Sequence, residues 1–158
     1  MDKYQYKKPE ADIFMGFNSK LIYKNLDVGF NGHASIGNYN FNAIAANSAH
    51  MSVTGLFGNN CLTNKPRSAL VTNFTERQRL SDYYIQNASF LKIDNITLGY
   101  TFNKLSNWKG ANLRAYGTIQ NPFVFSKYEG LDPEIFGGMD NNLYPRPVAV
   151  IFGVNLNF

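Results

Sequence analysis

The sequence predicts an all-β fold, an antiparallel meander of about five strands suited to the wall of an outer-membrane barrel. Three observations lead there. The first is the last eleven residues, Val148 to Phe158, which alternate with period two. Val148, Val150, Phe152, Val154, Leu156 and Phe158 make one apolar face; Ala149, Ile151, Gly153, Asn155 and Asn157 make a mostly small or polar one. Rising about 3.3 Å per residue and tilted at about 45°, such a segment covers roughly 25 Å, the height of a barrel's apolar band. The second is composition: charged residues are sparse at 16%, while aromatics reach 15%, with ten Tyr and thirteen Phe. The third is that short and long connections alternate strictly, as they do when tight turns gather at one barrel rim and long loops at the other.

The totals exclude several classes. The 158 residues suffice for one domain with a core. Mean hydropathy is −0.28 and no run of ~20 apolar residues occurs, which excludes a helical membrane protein. The net charge of +4 is scattered, without the basic stripe that tracks phosphates, so nucleic acid is not an expected partner. Lys3, Lys7 and Lys8 form the densest basic cluster and read as a solvated end. The single cysteine, Cys61, excludes an internal disulfide framework, and a zinc site would need the distant His33 and His50 as well. Met1-Asp2-Lys3 opens polar, with no apolar signal region after it. These residues alone would be expected to stay in the cytoplasm, which conflicts with a barrel unless they belong to a longer polypeptide.

Taken in order, residues 1–11 are polar and hold Pro9, so they read as irregular. The first strand is expected near 12–23, where Ile13, Met15, Phe17, Leu21 and Tyr23 share a face with Ser19. Lys24-Asn25 reads as a two-residue hairpin turn, since Asn tolerates positive φ. The second strand, 26–36, answers with Leu26, Val28, Phe30, Gly32, Ala34 and Ile36 against Asp27, Gly29, Asn31, His33 and Ser35. Residues 37–85 lose the alternation and are rich in Asn, Ser, Gly and Ala; so long a loop suits the extracellular side of a barrel better than a soluble domain. Short helical turns are expected within 41–51 and 74–82. The third strand, 89–103, sets Ile96, Leu98, Tyr100 and Phe102 against Asn95, Thr97, Gly99 and Thr101. A short connection at 103–110 leads to the fourth strand, 111–121. Its polar face carries Arg114 and Gln120, which must meet water or partners because burying them unpaired costs several kcal/mol. A second long loop, 122–147, holds four prolines and precedes the closing strand, 148–158. Alternation alone does not separate this barrel wall from a soluble sandwich.

Chemistry-bearing motifs are few. No P-loop, dinucleotide fingerprint or metalloprotease helix occurs. The two histidines, His33 and His50, fall on a polar strand face and in a long loop, and a nucleophilic triad is not expected. Asp132, Glu134 and Asp140 can bind a cation, but Asp132-Pro133-Glu134 reads more simply as a turn, with Asp accepting backbone N–H bonds and Pro fixing φ. No catalytic residue, metal or cofactor is therefore expected. The loop aromatics Tyr39, Phe41, Tyr83, Tyr84, Phe123, Phe125, Tyr128, Phe136 and Tyr144 can stack on sugar rings or contact a partner; the plainer reading is that they pack the loops or form an aromatic girdle. Three Asn-x-Ser/Thr matches, at Asn73, Asn87 and Asn95, read as chance.

Several stretches together resemble one family. Tyr84 to Tyr100, with Ser89-Phe90-Leu91-Lys92 and Asn95-Ile96-Thr97-Leu98-Gly99-Tyr100 inside it, is similar to a segment of the SusC/RagA family of TonB-linked outer-membrane transporters of Bacteroidota. So are Leu113-Arg114-Ala115-Tyr116 with Gln120-Asn121-Pro122, Lys127 to Glu134, Tyr144-Pro145-Arg146-Pro147, the ending Phe152 to Phe158, and the hairpin from Asp12 to Ala34. The resemblance covers roughly 8–36 and 82–158 and leaves loop 37–85 unmatched.

The resemblance implies a C-terminal segment of a large transmembrane barrel of about 22 strands with a plugged lumen. Five strands cannot close such a barrel or hide both edges, so the missing N-terminal barrel and plug of the same protein are implied partners. A SusD-like surface lipoprotein, TonB acting through the plug, the barrel assembly machinery and membrane lipid are the others. The implied activity is uptake of oligosaccharides or peptides across the outer membrane, for which the segment alone is not competent. Gly153, Leu156 and Phe158 would carry the assembly signal, although Ile151 stands where the family has a polar residue. Tyr84, Tyr128, Asp132 and Tyr144 are the candidate loop contacts to ligand or partner. The alternatives are a soluble carbohydrate-binding sandwich and a segment of a siderophore-type TonB receptor.

Overall fold

A computed structural model describes residues 4, 6–50, 66–78, 81–103, 112–141 and 144–157. Cys61, Phe158 and nearly all of the expected connection at 103–110 lie outside them. The described residues form two units: 13–36, 90–126 and 146–158 in one, and 1–12, 37–89 and 127–145 in the other.

The first unit is a five-stranded antiparallel sheet. Its strands are β1 (Ile13–Tyr23), β2 (Leu26–Ile36), β5 (Phe90–Phe102), β6 (Asn112–Ser126) and β8 (Ala149–Asn157), in that spatial order. Register pairs Ile13 with Ile36, Ser35 with Phe90, and Phe90 with Ser126. Both long connections therefore leave from one end of the sheet. The β1–β2 turn joins Tyr23 to Leu26 at the other end.

Three local features differ from the expected pattern. In the β1–β2 turn the left-handed residue is Lys24, at φ 55°, not Asn25. Asn25 is held by β5 instead: its carbonyl accepts from the Thr101 N–H at 2.8 Å, and its Oδ1 accepts from Asn103 Nδ2 at 3.1 Å. In β5, Asp94 is an extra residue against β2, between the pairs Gly32–Ile93 and Asn31–Asn95. Such a bulge lets two successive polar residues, Asp94 and Asn95, turn to one face while Ile93 and Ile96 keep the other. The third is the length of β6, which runs to Ser126 and not to 121. Pro122 had signalled a strand end. It is accommodated because Asn121 adopts φ 51° and the register skips there, from Asn95–Gln120 to Ile93–Phe123. Pairing with β8 has stopped at Gln120, so the missing proline N–H costs no ladder bond on that side.

The second unit gives structure to what the sequence left as loops. It contains β3 (Tyr39–Asn42), α1 (Ala43–Ser48), α2 (Ser68–Thr72), β4 (Ile85–Asn87) and β7 (Met139–Asp140). Strand β3 lies between β4, which runs antiparallel to it, and β7, which runs parallel. These pieces are too short to show alternation. The α1 helix falls inside the expected 41–51 window, and the Asn42 side chain caps it by accepting from the Ala45 N–H at 2.9 Å. The helical turn expected within 74–82 is displaced: α2 precedes it, and a 3-10 turn at Asp82–Tyr84 follows. The core is small, with Ala46, Ala49, Ala69 and Tyr84 buried together and Phe41, Ala45 and Phe74 against them.

Candidate functional site: a two-faced sheet and a folded loop body

The register places like with like on the sheet. One face collects Leu21, Val28, Leu98, Gly117 and Phe152 at successive cross-strand positions. Its large side chains are exposed: Phe152 is 83% accessible, Leu21 70% and Val154 65%. A soluble sheet would cover such a face, because an apolar patch of this extent left in water is an association site.

The opposite face is polar and cross-linked. Arg114 on β6 reaches across β5 to Asp27 on β2, donating from Nε to Oδ1 at 2.9 Å and from Nη2 to Oδ2 at 2.5 Å. This is the bidentate fork that makes arginine–carboxylate pairs directional. Gly99 lies beneath it; a side chain there would run into both the guanidinium and the carboxylate. The guanidinium carbon also sits 5.1 Å from the centre of the Tyr116 ring, and that ring covers Gly153 on β8, where a Cβ would again collide. One lateral chain of contacts thus spans β2, β5, β6 and β8, and two glycines allow it to lie flat. The Thr97 and Thr118 hydroxyls share a hydrogen bond at 2.8 Å. Nearer the long-connection end, His33 Nδ1 lies 2.8 Å from Asp94 Oδ2 and Lys92 Nζ lies 3.8 Å from Asp94 Oδ1. The bulge supplies that carboxylate.

In the loop body the sequence-predicted contact residues divide. Tyr84 is buried in the small core, its hydroxyl 3.5 Å from the Ala49 carbonyl, and burial raises its pKa. Tyr128 is buried and donates to Asp140 Oδ2 at 2.8 Å. Burial, with the Asp140 carboxylate beside it, pushes the Tyr128 hydroxyl far above the usual tyrosine range. Asp132 is buried and accepts from the Glu134 N–H at 2.9 Å, the turn geometry expected of Asp-Pro-Glu. Next to it, the Pro133 carbonyl accepts from Asn40 Nδ2 at 2.9 Å. Of these four, Tyr144 alone, at 85% accessibility, presents its ring to solvent. Among the described residues no group of three His, Cys, Asp or Glu side chains is placed to hold a metal ion, and no helix is long and apolar enough to cross a membrane. The latter does not bear on strands.

Of the three residues assigned to an assembly signal, Gly153 lies under Tyr116, Leu156 pairs with Leu113, and Phe158 is outside the described residues. Sequence reading missed the Asp27–Arg114 pair. It placed both residues on polar faces and required a partner for Arg114, but 87 residues separate them and only the register brings them together.

Comparison with known proteins agrees with this geometry. No family model matches the chain. The TonB-dependent receptor SusC of Bacteroides thetaiotaomicron is 47% identical over 161 aligned residues, covering 99% of this chain. The chain is SusC/RagA-like over nearly its whole length. It spans 16% of SusC and 17% of a second relative, TonB-dependent receptor P3 of Formosa agariphila, to which it is 30% identical. Among solved structures, the RagAB peptide transporter superposes with a TM-score of 0.74 at 24% identity, covering 96% of this chain and 18% of that one. RagAB in its open-open state gives 0.71 at 23% identity. At these identities the structural likeness carries the fold: the antiparallel sheet is that of a barrel segment. The relatives bear the names of receptors and importers, not of enzymes.

Proposed function

We propose that the chain forms the C-terminal wall segment and two extracellular loops of a TonB-dependent barrel that takes up oligosaccharides or peptides across the outer membrane. The observation that carries this reading is 47% identity to SusC along 99% of the chain. The two-faced sheet supports it physically, with apolar side chains toward lipid and the Asp27–Arg114 side toward a wet lumen. The N-terminal barrel and plug of the same polypeptide complete the wall, TonB acts through that plug, and a SusD-like lipoprotein is the partner at the surface. By its likeness to the family's ending, β8 is the strand that closes the barrel, with Gly153, Leu156 and Phe158 read by the assembly machinery. The loop body, with Tyr84, Tyr128, Asp132 and Tyr144, is extracellular, and of these four Tyr144 is the one whose ring is exposed to a ligand.

Two experiments test this. The full-length protein carrying the chain is expected in the outer-membrane fraction as a heat-modifiable band, and deleting Phe158 should remove it from that fraction. Unchanged assembly would count against the terminal signal. Residues 1–158 expressed alone should require detergent. A monodisperse soluble monomer with a cooperative melt would overturn the barrel assignment and favour a soluble carbohydrate-binding module.

A further inference from the structure

We propose that the loop body carries a contact site for an acidic saccharide in the cleft formed by Tyr6, Lys7, Lys8, Asp12, Gly37 and Tyr39. The inference rests on the reading of an uptake barrel and names a ligand class for its outer face. The cleft measures about 430 Å³, within the range of small-molecule sites, roughly 300–1,000 Å³. Lys7 and Lys8 are exposed, as a solvated end requires, but the backbone that carries them is tethered. The Tyr39 N–H donates to the Lys8 carbonyl at 3.2 Å, which ties this stretch to the start of β3, the central strand of the small sheet.

Two ammonium groups, Lys7 and Lys8, line the cleft against one carboxylate, Asp12, and Glu10, outside the lining, also acts on Lys8. Lys8 pairs with Asp12 at 2.5 Å. Lys7, among the described residues, has aromatic rings against its ammonium: Nζ lies 4.9 Å from the Tyr39 ring centre and 5.6 Å from that of Tyr6. An ammonium held on ring faces keeps its charge and its three donors while losing freedom, so it is preorganised for an incoming anion. The other lining groups suit hydroxyls. Two phenols donate and accept, the Asp12 carboxylate accepts, and the Lys8 ammonium donates. An acidic peptide is disfavoured because it would look for a free strand edge. Strand β3 has a neighbour on each side, and the Tyr39 N–H is already used. A carboxylate or sulfate on a polyhydroxylated ring satisfies the whole set.

The test uses the full-length protein, purified in detergent from the outer membrane. Titration calorimetry compares tetragalacturonate with the neutral maltotetraose at low and high salt. Tetragalacturonate should bind the more tightly, and more weakly as salt rises. Lys7→Gln should weaken it about tenfold, the loss expected for one charge-assisted hydrogen bond. Lys7→Arg, which keeps the cation, should restore most of that loss, and Lys24→Gln in the β1–β2 turn should change nothing. Equal affinity for the two tetramers, indifference to Lys7→Gln, or no tetragalacturonate binding by the unaltered protein would each overturn the site. Outer-membrane fractionation of the same preparation reads the barrel assignment separately, so the site can fail while the barrel stands.

Discussion

The sheet and the loop body solve the burial problem in opposite ways. The sheet leaves Phe152, Leu21 and Val154 outward and gathers Asp27, Arg114, Thr97 and Thr118 on its other face. The loop body does what a water-soluble domain does on a small scale: it buries Ala46, Ala49, Ala69 and Tyr84 together and satisfies Asp140 with a tyrosine hydroxyl. Inside-out patterning follows from the solvent each unit is built for. In lipid the apolar face needs no cover, while every backbone group must be paired within the wall, which a closed ladder of strands achieves. In water the apolar side chains must be hidden, but short, irregular backbone is tolerated.

The largest effect should appear where the loop body is thinnest. Tyr84→Ala removes the one large side chain from its buried cluster, and truncating a buried aromatic costs about 3–5 kcal/mol. So small a core has little reserve, so limited proteolysis of the full-length protein should cut within 37–89 while the barrel stays heat-modifiable. Simultaneous loss of both would mean that the units do not respond separately. The second test reverses the environment. Phe152→Arg on the outward face should destabilise folding into vesicles by about 2–4 kcal/mol, the cost of a cation near the bilayer midplane. Phe136→Arg, at a fully exposed loop position, should stay within about 0.5 kcal/mol. Equal effects would remove the lipid-facing assignment.

The same contrast explains what could be read from the sequence. Strands β1, β2, β5 and β8 were legible because a period of two runs through most of each, interrupted in β5 at the Asp94 bulge. Strand β6 was cut short at Pro122 because proline ends central strands unless a bulge admits it, and the bulge depends on Asp94 in another strand. In the loop body β3 has four residues and β7 two, too few for a period to register. The candidate site divided similarly. The Asp132 turn was local and readable, whereas the burial of Tyr84 and Tyr128 depends on residues far away in sequence. The Asp27–Arg114 pair needed the register of three strands.

That pair gives a third, smaller test. Charge-assisted hydrogen bonds contribute about 1.5–3 kcal/mol each, less where water reaches them, and the Arg114 side chain is 27% exposed. A double-mutant cycle with Asp27→Asn and Arg114→Gln should show a coupling of about 1–2 kcal/mol. Gly99→Ala should abolish most of that coupling by lifting the pair off the sheet, although it touches neither charge chemically. An unchanged coupling in the Gly99→Ala background would show that flat passage over β5 is not required.

The last test turns on pH and belongs to Tyr128. Its hydroxyl is raised above the unfolded tyrosine value by burial and by Asp140, so the folded state favours the protonated phenol. Below about pH 10, the unfolded tyrosine value, both states are protonated and the contribution is complete. As pH rises above that value the unfolded chain loses its proton first, and the contribution falls steadily toward the folded pKa. The loop body should therefore weaken above about pH 10, with the barrel unaffected by this group. Tyr128→Phe should flatten part of that alkaline decline while lowering stability near pH 7 by about 1–3 kcal/mol, because Asp140 loses a donor. Tyr84, raised by burial in the same unit, adds its own share, so Tyr84→Phe in the Tyr128→Phe background separates the two. Phenolate absorbance measured alongside proteolysis gives the deciding observation: ionisation of Tyr128 before the loop body opens would mean that the Asp140 contact does not hold its proton.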